Sequence, residues 1–532
     1  MLRSGVLARM LAALGVRGTD PLARIPSARV HPQAAWDKAF LIEEALAASP
    51  GDARLHTRLG FAWAALDKID EAVGAFEEAL RLDPARQDAI TGLGVVLREQ
   101  GRLPEAVAHL RRALELRPDD RETFQTLLFM LLCLEGASEK EVFDWHVRYA
   151  QRFEAPLRSA WRPHPNSRDP ARKLRVGYVS PEFWRHVVGF CMAPVLEHHD
   201  RSAVEVVCYS NRKLGDDLTE QLQGHADQWR EIAAMTDAAV ADLVREDRID
   251  ILVDLAGHAP GSRLEVFARK PAPVQVSYLD YSATTGLSSF DYRITVAACD
   301  PPGLADPYYT ETLERIPGTF WLYNPPALPE PPQRSRAGVL RLASLNSFYR
   351  ASSQALDTWA AILRGLPGAE LIVVGVPAGE ANRRLRARFE AQGVDPARLR
   401  IFGLLAYQDL LALIRASDIA LAPFPYNGAM TMLDCLWQGV PVVALRGGNT
   451  FYTRMAHSIL GALGLEELLA DSPQDYCERV LRLAADAPRR AELRRVLREK
   501  IRGSALQDFT GLPRFLEAAY RRMWQRYCAA PV

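Results

Sequence analysis

The stretches LGFAWAALDKIDEAVGAFEEALRLDP at 59–84 and LGVVLREQGRLPEAVAHLRRALELRP at 93–118 superimpose at an offset of 34 residues. Gly60 falls on Gly94, Ala72 on Ala106, Ala79 on Ala113 and Pro84 on Pro118. Carried back once more, the offset reaches Ala45, Leu46 and Pro50, so half a unit precedes two whole ones. Each unit reads as a pair of antiparallel helices. Small residues let the two helices approach closely, Leu and Val at helical spacing supply the buried stripe, and proline stops the second helix.

A period of 34 with these positions is the tetratricopeptide signature. Two and a half repeats are close to the lower limit for independent stability, so the array is expected to lean on the segment C-terminal to it. The repeats are assigned to residues 37–120, after an extension at 1–36. Amphipathic stretches over 121–171, including TFQTLLFMLLCLEG and EKEVFDWHVRYAQRFEA, read as bridging helices.

From residue 172 the pattern changes. Short apolar runs alternate with helical segments: LRVGYVS (174–180), VEVVCYS (204–210), IDILVDL (249–255) and VQVSYL (274–279). Runs without polar alternation predict strands buried on both faces, hence a parallel sheet covered by helices. This lobe is assigned to 172–325. A linker at 326–338 comes next, in a stretch containing Pro325, Pro326, Pro329, Pro331 and Pro332. A second series then starts: VLRLASL (339–345), ELIVVG (370–375), LRIFG (399–403), DIALAP (418–423) and VPVVAL (440–445). It predicts a second lobe over 339–510, closed by an amphipathic helix at 511–532. The expected fold is α plus α/β, a short repeat array before two doubly wound, Rossmann-like lobes. In such a fold a ligand lies in the crevice at the carboxyl ends of the strands.

Composition narrows the function. Lys+Arg and Asp+Glu are both 65, so a general nucleic-acid footprint is absent. The seven cysteines, Cys133, Cys191, Cys208, Cys299, Cys435, Cys477 and Cys528, are odd in number and never spaced CxxC. That argues against a disulfide framework or a zinc site and for a reducing, cytoplasmic setting. No apolar run has the length of a membrane span. Residues 1–17, MLRSGVLARMLAALGVR, lack the long apolar core of a cleaved signal peptide and read as a frayed or amphipathic helix, with attachment to a membrane surface the minority alternative.

Three segments carry chemistry. In RVGYVSPEFWRHVVGF (175–190) a strand ends at Ser180 and His186 opens a helix. A histidine there can accept a proton in the crevice near neutral pH, or it can simply cap the helix. In 250–295, Asp254 and His258 follow a strand, Gly257 and Gly261 allow close backbone approach, and Thr284, Thr285 and Gly286 form a polar loop. Strand-end turn chemistry explains the glycines equally well. In DIALAPFPYNGAMTMLDCLWQGVPVVAL (418–445) a strand runs through PFPYNG into a helix starting near Ala429. Its free N–H groups favour a diphosphate, Thr431 adds a hydroxyl, and Asp434 can accept bonds from ribose hydroxyls or serve the helix dipole. Upstream, Asn346 and Arg350 follow a strand, and the guanidinium fork suits phosphate oxygens or a surface salt bridge. Neither GxGxxG nor GxxxxGK[ST] occurs where such a site would need it, and no DxD pair offers a metal-bound diphosphate.

Together, DLAGHAPGSRLEVFARKPAPVQVSYL, TTGLSSFDYRIT and PFPYNGAMTMLDCLWQGVPVVAL, placed after the repeats, resemble the O-linked N-acetylglucosamine transferase and SPINDLY family of protein glycosyltransferases. The resemblance runs from about residue 37 to the end. It implies a GT-B fold and an inverting, metal-independent transfer of a sugar to a protein side chain, with no cofactor beyond a nucleotide-sugar co-substrate. UDP-N-acetylglucosamine is the first donor it suggests, and a UDP-hexose or GDP-fucose are alternatives. By the same resemblance His186 lies near the reaction centre, while His258, Thr284, Thr285, Asn346, Arg350, Thr431 and Asp434 serve the donor. Arg350 stands where the family has a lysine. Ala429 and Met430 replace polar residues, Leu410 stands at a base-stacking position, and Asp280, Tyr281 and Ser282 replace a usual GYP. The asparagine ladder of long-repeat relatives gives way to Thr57, Arg58, Thr91 and Gly92. Expected partners are an acceptor protein and a nucleotide-sugar, with oligomerisation through the repeats open. A repeat-bearing interaction protein with a degenerate catalytic region is the rival class.

Overall fold

The computed structural model describes residues 33–325 and 338–531. The expectations for residues 1–17 and for the linker up to residue 337 therefore lie outside the described residues. The array comprises helices Gln33–Ala48, Ala53–Ala65, Ile69–Leu82, Gln87–Glu99 and Leu103–Leu116. The small residues of the repeat pattern have one physical cause. A Cβ at Gly60 would lie 2.7 Å from the ring of the fully buried Phe76, and one at its equivalent Gly94 would lie 3.2 Å from Leu110, the residue 34 positions after Phe76. Asp52 and Asp120 each cap the next helix by accepting backbone N–H bonds.

Helices Arg121–Cys133 and Glu139–Phe153 continue the stack and join it to the first lobe. Phe124 meets Trp145, Tyr149 and Phe153 edge-on. Glu154 accepts bonds from the Ser288 and Ser289 backbone, locking the bridge onto that lobe.

The first sheet contains β1 (Leu174–Ser180), β2 (Val204–Ser210), β3 (Gln228–Glu231), β4 (Ile251–Asp254), β5 (Val274–Ser277), β6 (Tyr292–Thr295) and β7 (Thr312–Arg315). Its order is β3-β2-β1-β4-β5-β6-β7. The second contains β8 (Arg341–Ser344), β9 (Glu370–Val373), β10 (Leu399–Ile401), β11 (Ile419–Leu421), β12 (Val442–Leu445) and β13 (Leu469–Ala470), ordered β10-β9-β8-β11-β12-β13. Every pairing is parallel, with Leu174 opposite Val204 and Leu342 opposite Leu371. The architecture is thus a repeat array before two Rossmann-ordered lobes. Strands β3, β6, β7 and β13 escape a search for apolar runs because each is short, and all but β6 lie at a sheet edge. The final helix, Gly511–Ala529, belongs spatially to the first lobe, where Tyr520 bonds Tyr178 and Trp524 is fully buried.

Candidate functional site

Both sheets reverse direction of growth at their centres, between β1 and β4 and between β8 and β11. The four loops leaving those strands carry most of the candidate residues. This is the switch-point geometry that holds ligands in open α/β sheets. A cleft of about 1140 Å³ runs from the bridging helix Arg121–Cys133, past His258, Asp280 and Ser282, to Arg350 and Tyr426 of the second lobe.

His186 leaves β1 as the N-cap of helix Val187–His198, and its Nδ1 accepts the Val188 N–H at 3.4 Å. Its ring stacks on Trp184, and its Nδ1 lies 3.8 Å from Glu182. Burial, opposed by the Glu182 charge, holds its pKa below the ordinary value. The capping role considered from sequence is therefore realised.

Asp254 closes the turn after β4 by accepting the Ala256 and Gly257 N–H bonds. Gly257 is required there: its φ is +55°, and a Cβ would lie 2.3 Å from Tyr281. His258 is enclosed by the rings of His146, Tyr149 and Tyr281. Burial first, then His146, keeps it neutral at pH 7. Its Nε2 is 2.8 Å from the Thr285 carbonyl, so Nε2 bears the proton and Nδ1 is left as an acceptor. That buried Nδ1 has no hydrogen-bond partner.

The side chains of Thr284 and Thr285, expected to serve a donor, are engaged within the first lobe. Both are buried, and their hydroxyls donate to Glu311 at 2.6 Å each, joined by the Thr285 N–H at 2.7 Å. Their side chains build the wall behind His258 and offer nothing to the cleft. Glu311 lay too far along the chain for any local motif to signal it.

In the second lobe, Gly428 brings Asn346 and Arg350 to the start of helix Ala429–Trp437. A Cβ at Gly428 would stand 2.1 Å from Asn346 Oδ1 and 2.9 Å from Arg350 Nη1. Asn346 Oδ1 and Arg350 Nε are buried without partners. The Arg350 guanidinium lies over the Tyr426 ring, 4.6 Å from its centre, and Tyr426 meets Ser282 of the first lobe at 3.1 Å. No side chain caps the helix, so its first-turn N–H groups remain available beside Thr431. Three residues on from Thr431, Asp434 accepts bonds from Tyr323 at 2.7 Å and Tyr407 at 3.3 Å. Burial, opposed by those bonds, raises its carboxyl to about 6. Leu410 is packed against the core. Tyr407, one turn earlier on the same helix (Tyr407–Ala416), presents an exposed ring beside Asp434, which only the fold reveals.

Among the described residues, no group of three or more His, Cys, Asp or Glu side chains is placed to hold a metal ion. No helix among them is long and apolar enough to cross a membrane.

A repeat array joined to two Rossmann-ordered lobes, with an uncapped helix start beside Arg350 and a cleft that Arg350 shares with the first lobe, defines a repeat-bearing glycosyltransferase architecture of the GT-B kind. Glycosyl transferase family 41 matches residues 129–325 and 337–511, and tetratricopeptide repeats match 41–86 and 62–121. The chain belongs to that family, the group of the O-GlcNAc transferases and SPINDLY proteins. It is 34% identical over 429 residues to a probable UDP-N-acetylglucosamine–peptide N-acetylglucosaminyltransferase SPINDLY of Solanum lycopersicum, covering 78% of this chain and 45% of that protein. A Caenorhabditis elegans UDP-N-acetylglucosamine–peptide N-acetylglucosaminyltransferase is 24% identical, over 67% of this chain and 41% of that one. The chain thus spans less than half the length of these curated relatives. A solved Thermobaculum terrenum O-GlcNAc transferase mutant superimposes with a TM-score of 0.85 at 34% identity, covering 99% of both chains.

Proposed function

We propose that this protein transfers a sugar from a nucleoside-diphosphate donor to a protein side chain, by a single inverting displacement that needs no metal. One observation carries the reading. Arg350, which converges with Asn346 on Gly428 at the uncapped start of helix Ala429–Trp437, also lines the cleft whose first-lobe wall bears His258. Helix dipole and guanidinium together supply the positive potential that a departing diphosphate needs. Thr431 joins that anion site, and Asp434 with Tyr407 receives the ribose and base. His258 Nδ1 accepts a bond from a sugar or acceptor hydroxyl. Thr284 and Thr285 act indirectly, by fixing the carbonyl that orients His258. His186 holds the loop after β1 at the reaction side. The acceptor protein enters between helix Arg121–Cys133 and the first lobe. UDP-N-acetylglucosamine is the first donor, in keeping with the names of the relatives.

Melting curves with UDP and GDP, followed by a nucleotide-sugar panel with acceptor lysate, test this. A ligand at 100 times its Kd stabilises by about 2.7 kcal/mol, a clear rise in Tm. Arg350→Met should remove the rise, and Arg350→Lys should keep part of it. A chain that neither binds nucleotide nor transfers any sugar is instead an interaction protein on a glycosyltransferase scaffold. Transfer from GDP-fucose or a UDP-hexose alone would redirect the donor assignment.

A further inference from the structure

Three carboxylates gather at the carboxyl ends of the first sheet: Glu182 after β1, Asp254 at the end of β4 and Asp280 after β5. Two are committed. Asp254 holds the Ala256 and Gly257 N–H groups. Glu182 accepts the Trp184 indole N–H and stands beside His186. Asp280 has neither a hydrogen bond nor an ion pair among the described residues, although it is partly buried. It lines the cleft together with His258, Tyr281 and Ser282, opposite Arg350 and Tyr426. A second, independent sign of a ligand at this place is the buried, unpartnered Nδ1 of His258 in the same wall.

A carboxylate left without a donor beside two others is costly unless it has work to do. Burial first, then the charges of Glu182 and Asp254, lifts the Asp280 carboxyl to about 7. The remaining groups facing it are the Cys191 thiol of helix Val187–His198 and the Tyr426 phenol, on whose ring Arg350 lies. His186 is the alternative base, but its Nδ1 faces its own helix and Glu182, and the residue is not part of the cleft wall.

Resting on the function proposed above, we infer that Asp280 takes the proton from the acceptor hydroxyl during sugar transfer. The O–H proton passes to the Asp280 carboxylate as the acceptor oxygen bonds to the anomeric carbon. The bond from that carbon to the phosphate oxygen breaks, and its electron pair leaves with the nucleoside diphosphate. Charge is conserved, and no further reactant is needed.

Nucleoside-diphosphate release from the donor panel, with acceptor lysate, is followed against pH for the full chain and for Asp280→Asn, Asp280→Glu and His186→Ala. In the wild type, kcat should rise with pH to a plateau through about 7. Asp280→Asn should lower kcat by about 10²–10⁴-fold with little change in donor KM, and should lose that rising limb. Asp280→Glu should restore part of it, and His186→Ala should retain the limb. Asp280→Asn removes a destabilising carboxylate, so its Tm should exceed the wild type's more at pH 8 than at pH 4. Asp280→Asn with near-normal kcat and the limb intact, or a limb lost only in His186→Ala, overturns the assignment while leaving the transfer reaction standing. A wild-type chain that binds nucleotide but releases it from no donor overturns Asp280 as a working base. Failure to bind nucleotide at all overturns the functional reading itself, and this inference with it.

Discussion

Replacing Gly428 by alanine asks whether the convergence at the helix start is what binds a diphosphate. The backbone there has φ −89° and ψ 123°, values that alanine adopts freely, so strain is not the issue. The obstacle is the neighbours: the new methyl would lie 2.1 Å from Asn346 Oδ1 and 2.9 Å from Arg350 Nη1. To reach ordinary contact at about 3.5 Å, Asn346 must retreat by about 1.4 Å and Arg350 by about 0.6 Å. Such overpacking costs about 1–3 kcal/mol of stability. Moving Arg350 off its phosphate forfeits a charge-assisted bond of about 1.5–3 kcal/mol, or roughly 10–150-fold in Kd. Calorimetric titration with UDP and GDP reads the second quantity, and urea denaturation reads the first. Gly461→Ala is the control, because a Cβ there meets nothing within 4 Å. It should be neutral or stabilising by up to ~1 kcal/mol. Wild-type nucleotide affinity in a Gly428→Ala protein of unchanged stability would refute the anion-site geometry.

Other tests address the same residues and their neighbours. The Asp434 carboxyl is raised from 3.8 to about 6, so its folded form resists ionisation as pH climbs across that window. Asp434→Asn should therefore raise Tm progressively between those pH values, measured by scanning calorimetry. Nucleotide affinity should show the opposite trend in the wild type, tightening through pH 6 as the carboxylate forms, and should be flat in Asp434→Asn. Tyr407→Ala should weaken nucleotide binding by about 1–3 kcal/mol if its exposed ring stacks the base, read by the same titration. Glu311→Gln places an amide where three donors converge, and should cost about 3 kcal/mol in urea denaturation. Thr285→Ser keeps the hydroxyl and should cost about 1 kcal/mol.

Much of this protein is written locally. The 34-residue period dictated the helix pairs, because a repeating small residue means a repeating close approach, here Gly60 to Phe76 and Gly94 to Leu110. Continuous apolar runs marked the buried parallel strands. The loops after β1, β4, β8 and β11 could be picked out because polar and glycine residues cluster at strand ends. What those side chains do was decided only by tertiary structure. Thr284 and Thr285 look like ligand groups until Glu311 arrives from a distant loop and consumes their hydroxyls. Asp280 looks like a lone departure from GYP until Glu182 and Asp254 are brought beside it by parallel pairing. Tyr323, from the end of the first lobe, reaches Asp434 in the second, and the last helix returns across the chain to cover the first sheet. Periodicity and burial are properties of neighbouring residues and so lie open in the sequence. Hydrogen-bond partnership and electrostatic neighbourhood join residues far apart in the chain, and exist only once it has folded.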